Sequence, residues 1–111
     1  MAISWNDFEK IDMRIGTILE VNDFPKAKKP AYQLIIDFGK EIGIKKSSAQ
    51  ITVHYVADKL VGRQVIAVIN FPPKQIANFV SECLVLGVYD ENNDVILLTT
   101  DQPTSNGMKI G

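Results

Sequence analysis

The sequence predicts an all-β fold with short flanking helices, arranged as a five-stranded Greek-key barrel. Short apolar segments alternate with turn signals rich in Gly, Pro and Asn, as in small antiparallel barrels. No stretch has the length and periodicity of a crossover helix, which argues against a parallel sheet. The 111 residues are 46% hydrophobic, enough for one core. We therefore expect residues 1–111 to form a single domain.

The first half of the chain predicts one helix and three strands. Ser4 has the character of an N-cap for a short helix that ends near Lys10. The first strand is predicted over Met13–Val21, where Gly16 suggests a bulge or a tight barrel bend. A lysine-containing loop over Asn22–Pro30 follows. The second and third strands are predicted over Tyr32–Phe38 and Ile42–Ile51.

The second half predicts a short helix and the remaining strands. One or two helical turns over His54–Leu60 precede a fourth strand that ends at Asn70. Because proline cannot donate to a sheet ladder, Pro72 and Pro73 should end this strand. A helical turn carrying Lys74, Gln75 and Asn78 is expected next, followed by a strand over Ser81–Tyr89. A polar turn over Asp90–Asp94 then leads to a returning strand over Val95–Thr99, and a short strand is predicted at Met108–Ile110.

The charges are segregated along the chain although the net charge is only −1. From Lys26 to Lys74 there are nine basic and three acidic residues, and the remainder has three basic and ten acidic residues. A basic middle between acidic ends is typical of a protein that presents one face to a polyanion. The alternative is that these lysines are scattered, solvated positions.

Several function classes find little support in the sequence. Cys83 is the single cysteine, so no internal disulfide can form, and we expect a cytoplasmic protein with Cys83 in the core. No apolar run is long enough for membrane insertion, and the N-terminus is unlike a secretory signal. His54 is the single histidine, which makes a metal site improbable, and the acidic turn after Tyr89 lacks a calcium-loop pattern. No catalytic constellation or cofactor motif appears, so we expect no catalytic residue, no cofactor and no enzyme activity.

Five short motifs, in order, carry a family resemblance. They are Phe8-x-Lys10-x-Asp12-x-Arg14-x-Gly16, Ile44-Lys45-Lys46-Ser47-Ser48-Ala49-Gln50-Ile51, Leu60-x-Gly62-Arg63-Gln64-Val65, Asn70-Phe71-Pro72-Pro73-Lys74 and Ser81-Glu82-x-Leu84-x-Leu86. Together they resemble the tRNA-binding OB-fold domain family. The Ser-Ser-Ala-Gln sequence and the double proline are most similar to the branch of CsaA-type export chaperones.

The resemblance implies an OB-fold barrel and a non-catalytic binding protein. Its expected partners are tRNA, unfolded or precursor proteins and the SecA translocation motor. It also implies a homodimer, for which the apolar residues near the two termini, Ile3, Trp5, Met108 and Ile110, are candidates, although they could equally plug the barrel ends.

Two overlapping sets of site residues follow. The nucleic-acid candidates are Lys45, Lys46, Ser47, Ser48, Asn70, Lys74, Ser81 and Leu84. The peptide-binding candidates are Phe71, Ile76, Phe79 and Leu84. Phosphates and riboses accept hydrogen bonds from lysines and hydroxyls, whereas a peptide groove needs exposed apolar surface. Because strand neighbours point to opposite faces, only one of the pairs Lys45/Ser47 and Lys46/Ser48 can line a given groove. The alternatives are a lysine-protected edge strand and a core position for Leu84.

Overall fold

A computed structural model describes residues 1–111 and shows an almost closed antiparallel barrel, which confirms the predicted fold class. The barrel sheet has the strand order β3-β2-β1-β4-β7, and two short hairpins, β5–β6 and β8–β9, flank it. No helix has both the length and the apolar character needed to span a membrane. The elements are α1 (Trp5–Glu9), β1 (Met13–Asp23), β2 (Tyr32–Asp37), β3 (Ile44–Ala49), α2 (Ala57–Leu60), β4 (Gln64–Val68), β5 (Lys74–Ile76), β6 (Phe79–Ser81), β7 (Leu84–Val85), β8 (Gly87–Tyr89) and β9 (Val95–Leu97).

The long strand β1 lies at the centre of the sheet and pairs with both β2 and β4. Its register with β2 shifts between Ile18 and Glu20, so the bulge lies at Leu19. Gly16, where a bulge or a tight bend was predicted, pairs with Val65 of β4 in regular register, so the bulge alternative is wrong. Gly16 has a different role. A Cβ atom there would lie 2.7 Å from the Ile36 side chain and 2.7 Å from the Phe38 ring. The missing side chain therefore allows the core to close over β1.

The core is formed by the inward faces of β1 to β4 and by residues after β6. Ile18, Leu34 and Ile36 are almost completely buried, as are Leu60 and Val65. The alternation of Leu34 and Ile36 with partly buried neighbours along β2 follows from the two-residue period of a strand. The same period turns Ser47 into the core, where it is 0% exposed.

Strand β3 is an edge of the hydrogen-bonded sheet, and the segment 81–83 closes the barrel against it. The backbone N–H of Glu82 donates to the carbonyl of Lys46 over 2.7 Å, and the Lys46 N–H donates to Oε1 of Glu82 over 3.0 Å. The Ser48 N–H donates to Oγ of Ser81 over 3.1 Å. We call this contact the seam. The seam differs from a regular strand pair because side-chain oxygens replace backbone carbonyls as two of its three hydrogen-bond acceptors.

Buried hydroxyl and thiol groups complete the seam from the inside. Oγ of Ser47 donates to the carbonyl of Cys83 over 3.1 Å, and the Cys83 thiol points at the Lys46 carbonyl over 3.7 Å. Cys83 is 6% exposed, which agrees with its predicted core position. Burial raises the pKa of this thiol to about 11, and the Ser47 hydrogen bond and the Lys45 charge oppose that shift. The cysteine is therefore a neutral packing residue at neutral pH.

The segment after the two prolines is a β-hairpin, and the predicted helical turn is wrong. Lys74 pairs with Ser81 and Ile76 pairs with Phe79, so Ala77 and Asn78 form a two-residue turn. Ala77 has φ +51°, a left-handed conformation that suits such turns but is uncommon for alanine. Phe79 is 8% exposed and its ring packs on Phe24 at a centroid distance of 5.5 Å. The tertiary contact with Phe24 explains the strand-like backbone.

Other predicted boundaries need smaller corrections. The fourth strand ends at Val68, before the prolines, and the expected long strand over Ser81–Tyr89 is divided into parts of β6, β7 and β8. The returning strand pairs with β8 as predicted. The tail adds one isolated bridge between Arg14 and Lys109.

The N-terminal helix and the start of β1 have the predicted local chemistry. Ser4 and Asp7 form a capping box, and the hydrogen bond from the Ser4 backbone lowers the pKa of Asp7. Nε of Arg14 donates to Asp12 over 2.6 Å, so these two motif residues form an ion pair. A second donation from Arg14 reaches the Gly107 carbonyl over 2.9 Å and attaches the tail to β1.

We expect Gly16→Ala to lower the free energy of unfolding by about 1–3 kcal/mol, since the added methyl would overpack the core against Phe38. Urea denaturation of four proteins would check this: the native chain, Gly16→Ala, Phe38→Leu and the double variant. A smaller residue at position 38 should recover part of the loss, which appears as a favourable coupling energy. Purely additive effects would contradict the close-packing argument.

We expect Glu82→Ala to lower the free energy of unfolding by about 1–3 kcal/mol, because the Lys46 N–H loses its acceptor at the seam. Hydrogen exchange should become faster at the Lys46 amide in particular. Glu82→Gln keeps an oxygen acceptor and is the matched control, with a smaller loss. Equal stabilities of all three proteins would show that the seam does not depend on this carboxylate.

Candidate nucleic-acid and peptide interface

A groove lies beside the seam, between the proline elbow, the β5–β6 hairpin and the start of β7. Its volume is about 400 Å³. We call it the elbow groove, and its lining residues are Ser48, Phe71, Pro72, Lys74, Ile76, Ser81, Cys83 and Leu84. Six of them were predicted as site residues from the sequence, and the fold brings these six together. The groove thus combines apolar walls with one cation and two hydroxyls.

The apolar walls are accessible to a ligand. Phe71 is 54% exposed and Leu84 is 47% exposed, so Leu84 is not a core residue. Ile76 is partly buried and packs against the Phe24 and Phe79 cluster. Exposed large apolar side chains grouped around a concave surface are typical of a binding site.

A second groove with a basic lining adjoins the first. Its volume is about 600 Å³, and four lysines, Lys26, Lys28, Lys29 and Lys74, contribute to it. We call it the basic groove. It shares Ser48, Lys74 and Ile76 with the elbow groove, so the two cavities have a common wall. Four cations around one cavity favour an anionic ligand such as a phosphodiester chain.

The two serines of the elbow groove differ in what they can still bind. Oγ of Ser81 accepts from the Ser48 N–H over 3.1 Å and donates to the Cys83 carbonyl over 3.3 Å. One acceptor site is therefore left on Ser81. The Ser48 backbone is engaged in the seam, while its hydroxyl has no hydrogen-bond partner within the chain. Ser48 also lines a third cavity, of about 450 Å³, on the side of Tyr89.

The lysine pair of β3 is near the grooves but does not line them. Lys46 lies on the same strand face as Ser48, and its ammonium group sits 5.2 Å from the centre of the Phe79 ring. That geometry is a cation–π contact. Lys45 lies on the opposite face, at the end of the strand where it is only partly buried. The lysines that line a cavity are those of the 26–29 loop and Lys74.

Three of the predicted site residues have structural roles in this fold. Ser47 is fully buried and bonded to the Cys83 carbonyl, so it is removed from the nucleic-acid set. Phe79 is buried against Phe24 and offers no surface to a peptide. The amide of Asn70 accepts from the Asp12 N–H over 3.1 Å and donates to the Lys10 carbonyl over 2.7 Å, outside both grooves. Asn70 thus fastens the end of β4 to the chain before β1.

Sequence reasoning did not assign some of the residues that line the grooves. Gln50 and Gln75 line the basic groove and Pro72 lines the elbow groove. The signal was present in Gln50, which continues the Lys-Lys-Ser-Ser segment at the alternating spacing of Lys46 and Ser48. Gln75 could not be placed, because its segment was predicted to be helical.

A small polar cluster lies away from the grooves, where His54 meets the acidic turn. Nε2 of His54 and Oδ2 of Asp90 are 2.6 Å apart, and ligand atoms of His54, Asp90 and Asp94 lie within 4.8 Å of one another. The hydrogen bond from the Asp94 backbone, followed by that from His54, lowers the pKa of Asp90. These contacts explain the cluster as a connection between the α2 loop and the β8–β9 hairpin.

Apolar side chains from both ends of the chain meet on another surface. Ile3, Trp5, Phe8 and Gly111 line a shallow cavity there. Ile3 is 69% exposed, Trp5 66% and Met108 56%, so these side chains do not plug the barrel.

Comparisons with known proteins identify the family of this chain. Residues 13–109 match a family model described as "Putative tRNA binding domain". Over 102 residues the chain is 35% identical to the methionine–tRNA ligase of Methanocaldococcus jannaschii, an alignment that spans 92% of this chain and 15% of the ligase. The chain therefore corresponds to a small part of that enzyme.

Two solved structures match over the whole chain. The chaperone CsaA from Bacillus anthracis has a TM-score of 0.94 and 48% sequence identity, and the match covers 100% of both chains. The CsaA chaperone protein from Picrophilus torridus has a TM-score of 0.92 and 56% identity, covering 99% of this chain and 100% of the other. With its sequence match over nearly the whole barrel and its likeness to CsaA structures, the chain belongs to the tRNA-binding domain family.

Proposed function

We propose that this protein is a CsaA-like molecular chaperone with a tRNA-binding OB-fold, and that it acts by binding and not by catalysis. The observation that carries the proposal is the shared wall of the elbow groove and the basic groove. The apolar side chains of Phe71, Ile76 and Leu84 in the elbow groove suit an unfolded polypeptide. The lysines that line the adjoining basic groove suit an RNA backbone.

The peptide part of the proposal assigns the elbow groove to unfolded or precursor proteins. Phe71 and Leu84 offer apolar surface in an open groove, which suits clients that differ in sequence. Protein export, cytoplasmic location and contact with the SecA translocation motor extend this proposal. They are what the sequence resemblance to CsaA-type export chaperones implies.

The RNA part assigns the phosphates of a tRNA to the lysines of the basic groove. Lys74 stands on the common wall, so it contributes to both ligands. Lys45 and Lys46 extend the positive charge along β3 outside the cavity, and Ser48, Ser81 and Leu84 are the contacts beside them. A second candidate function, a stand-alone tRNA-binding protein without a chaperone role, is favoured by the same basic groove.

A homodimer completes the proposal. Ile3 and Trp5 are exposed at the cavity that they share with Gly111. Met108, close to that end in sequence, is also exposed, and Ile110 is partly buried. A two-fold interface on this surface would bury them and would double the number of basic grooves available to one tRNA.

We expect the double variant Lys28→Glu, Lys74→Glu to bind tRNA at least tenfold more weakly at about 100 mM salt, and to show a shallower dependence of affinity on salt, because phosphate contacts are lost. Fluorescence anisotropy with labelled total tRNA over a salt series measures both quantities. The matched control is Lys40→Glu, Lys59→Glu, which changes the net charge equally at exposed positions outside the basic groove. Equal losses in both variants would mean that only the overall charge matters.

We expect Leu84→Asp to weaken the capture of unfolded clients, because it places a charge in the apolar wall of the elbow groove. The measurement is suppression of aggregation of a chemically denatured protein, at concentrations where the native chain suppresses it. Val88→Asp is the control, since Val88 is 51% exposed against 47% for Leu84 and does not line the groove. The native chain should also lose client binding when tRNA is added. Full suppression by Leu84→Asp would move the client site elsewhere.

A further inference from the structure

We propose that the elbow groove takes one unpaired RNA base, flipped out of its stack, while the phosphates beside that base lie in the basic groove. The inference deepens the RNA part of the proposed function and rests on it. It specifies which structural feature of an RNA the site selects: a bulged or looped-out nucleotide of any identity, and not a continuous duplex.

The walls of the elbow groove fit a flat ring. Phe71 and Leu84 expose 54% and 47% of their surface, and Ile76 adds a partly buried aliphatic side chain. A base has two apolar faces, and stacking on an aromatic or aliphatic side chain stabilises it without regard to sequence. The groove reaches down to Cys83, which is 6% exposed. A base must leave its neighbours in the stack to reach that depth.

The polar corner of the groove fits the edge of such a base. Ser81 has one acceptor site left, because its hydroxyl already accepts from Ser48 and donates to Cys83. The hydroxyl of Ser48 is unpartnered and is able both to donate and to accept. Adenine, cytosine, guanine and uracil each present a donor beside an acceptor on the Watson–Crick edge. Two serines therefore suit any base whose edge is free, and a paired base has no free edge.

The charges place the backbone of the same nucleotide. Lys74 lies on the wall that the two grooves share, and the three lysines of the 26–29 loop line the far side of the basic groove. A base inserted in the elbow groove would bring its own phosphate to this wall. The neighbouring phosphates would then follow the lysine-lined cavity. This charge complementarity favours a nucleotide over a neutral aromatic peptide side chain as the occupant.

Three labelled RNA hairpins test the inference, each closed by the same non-nucleotide linker so that no loop base is unpaired. A terminal phosphate on the fully paired hairpin gives all three the same phosphate count. One is fully paired, one has a single-nucleotide bulge, and one has an abasic residue at the bulge. We expect the bulged hairpin to bind at least tenfold more tightly than the other two in anisotropy measurements at fixed salt. Changing the bulged base among the four nucleotides should alter the affinity by less than threefold.

Two variants connect this preference to the groove. Ser48→Ala removes a hydroxyl that makes no hydrogen bond within the chain, so the fold and its melting temperature should stay unchanged. It should weaken binding of the bulged hairpin about two- to thirteenfold, which is the fold-change for a hydrogen bond of about 0.5–1.5 kcal/mol. Binding of the paired hairpin should be unaffected. Phe71→Ala should reduce the bulge preference further.

The outcomes separate this inference from the proposed function. Salt-dependent tRNA binding without any preference for the bulge would overturn the inference and leave the RNA activity standing. Equal losses for bulged and paired hairpins in Ser48→Ala or Phe71→Ala would also overturn it, because the groove would then contact only the backbone. If neither tRNA nor the hairpins bind, the RNA activity and the inference are both wrong, and the groove is left to peptide clients.

Discussion

The functional surface depends on how the barrel closes. Strand β3 has no partner strand on its outer side. Two hydrogen bonds between Lys46 and Glu82, one donated by each residue, hold the segment 81–83 against it. Two of the three hydrogen-bond acceptors there are side-chain oxygens, and the chain bends immediately afterwards into β7. This bend places Leu84 beside Ser48 in the lining of the elbow groove. Together with the contact between Lys46 and the Phe79 ring, the seam fixes the position of the β5–β6 hairpin relative to β3.

The seam also divides neighbouring residues between structure and function. On β3, Ser47 faces inward to the Cys83 carbonyl while Ser48 faces the grooves. Beyond β6, Cys83 is buried and Leu84 is exposed. Because side chains alternate in direction along the two facing segments, adjacent positions form a packed inner layer and a ligand-accessible outer layer. A rigid, preformed outer layer lowers the ordering cost of binding, which is what a ligand with few specific contacts needs.

Most of the fold and much of the candidate site could be predicted from the sequence. Short apolar segments and turn residues were enough for the barrel, and the N-cap at Ser4 could be predicted from its residue type. The β5–β6 hairpin was not, because its turn lacks glycine and relies on Ala77 at positive φ. Phe79 was predicted to be exposed, since only the folded chain brings Phe24 next to it. Burial of Ser47 likewise depends on a partner 36 positions away.

Local charge, and not net charge, explains how a chain of net charge −1 offers a site to a polyanion. At physiological ionic strength the screening length is about 8 Å, so acids on distant surfaces contribute little at the basic groove. The lysines of the 26–29 loop and Lys74 act together because the fold gathers them around one cavity. Phosphate attraction alone is insensitive to sequence and shape. On the proposed assignment, discrimination among anionic ligands would come from the adjoining apolar groove, whose lining includes Ser48 and Ser81.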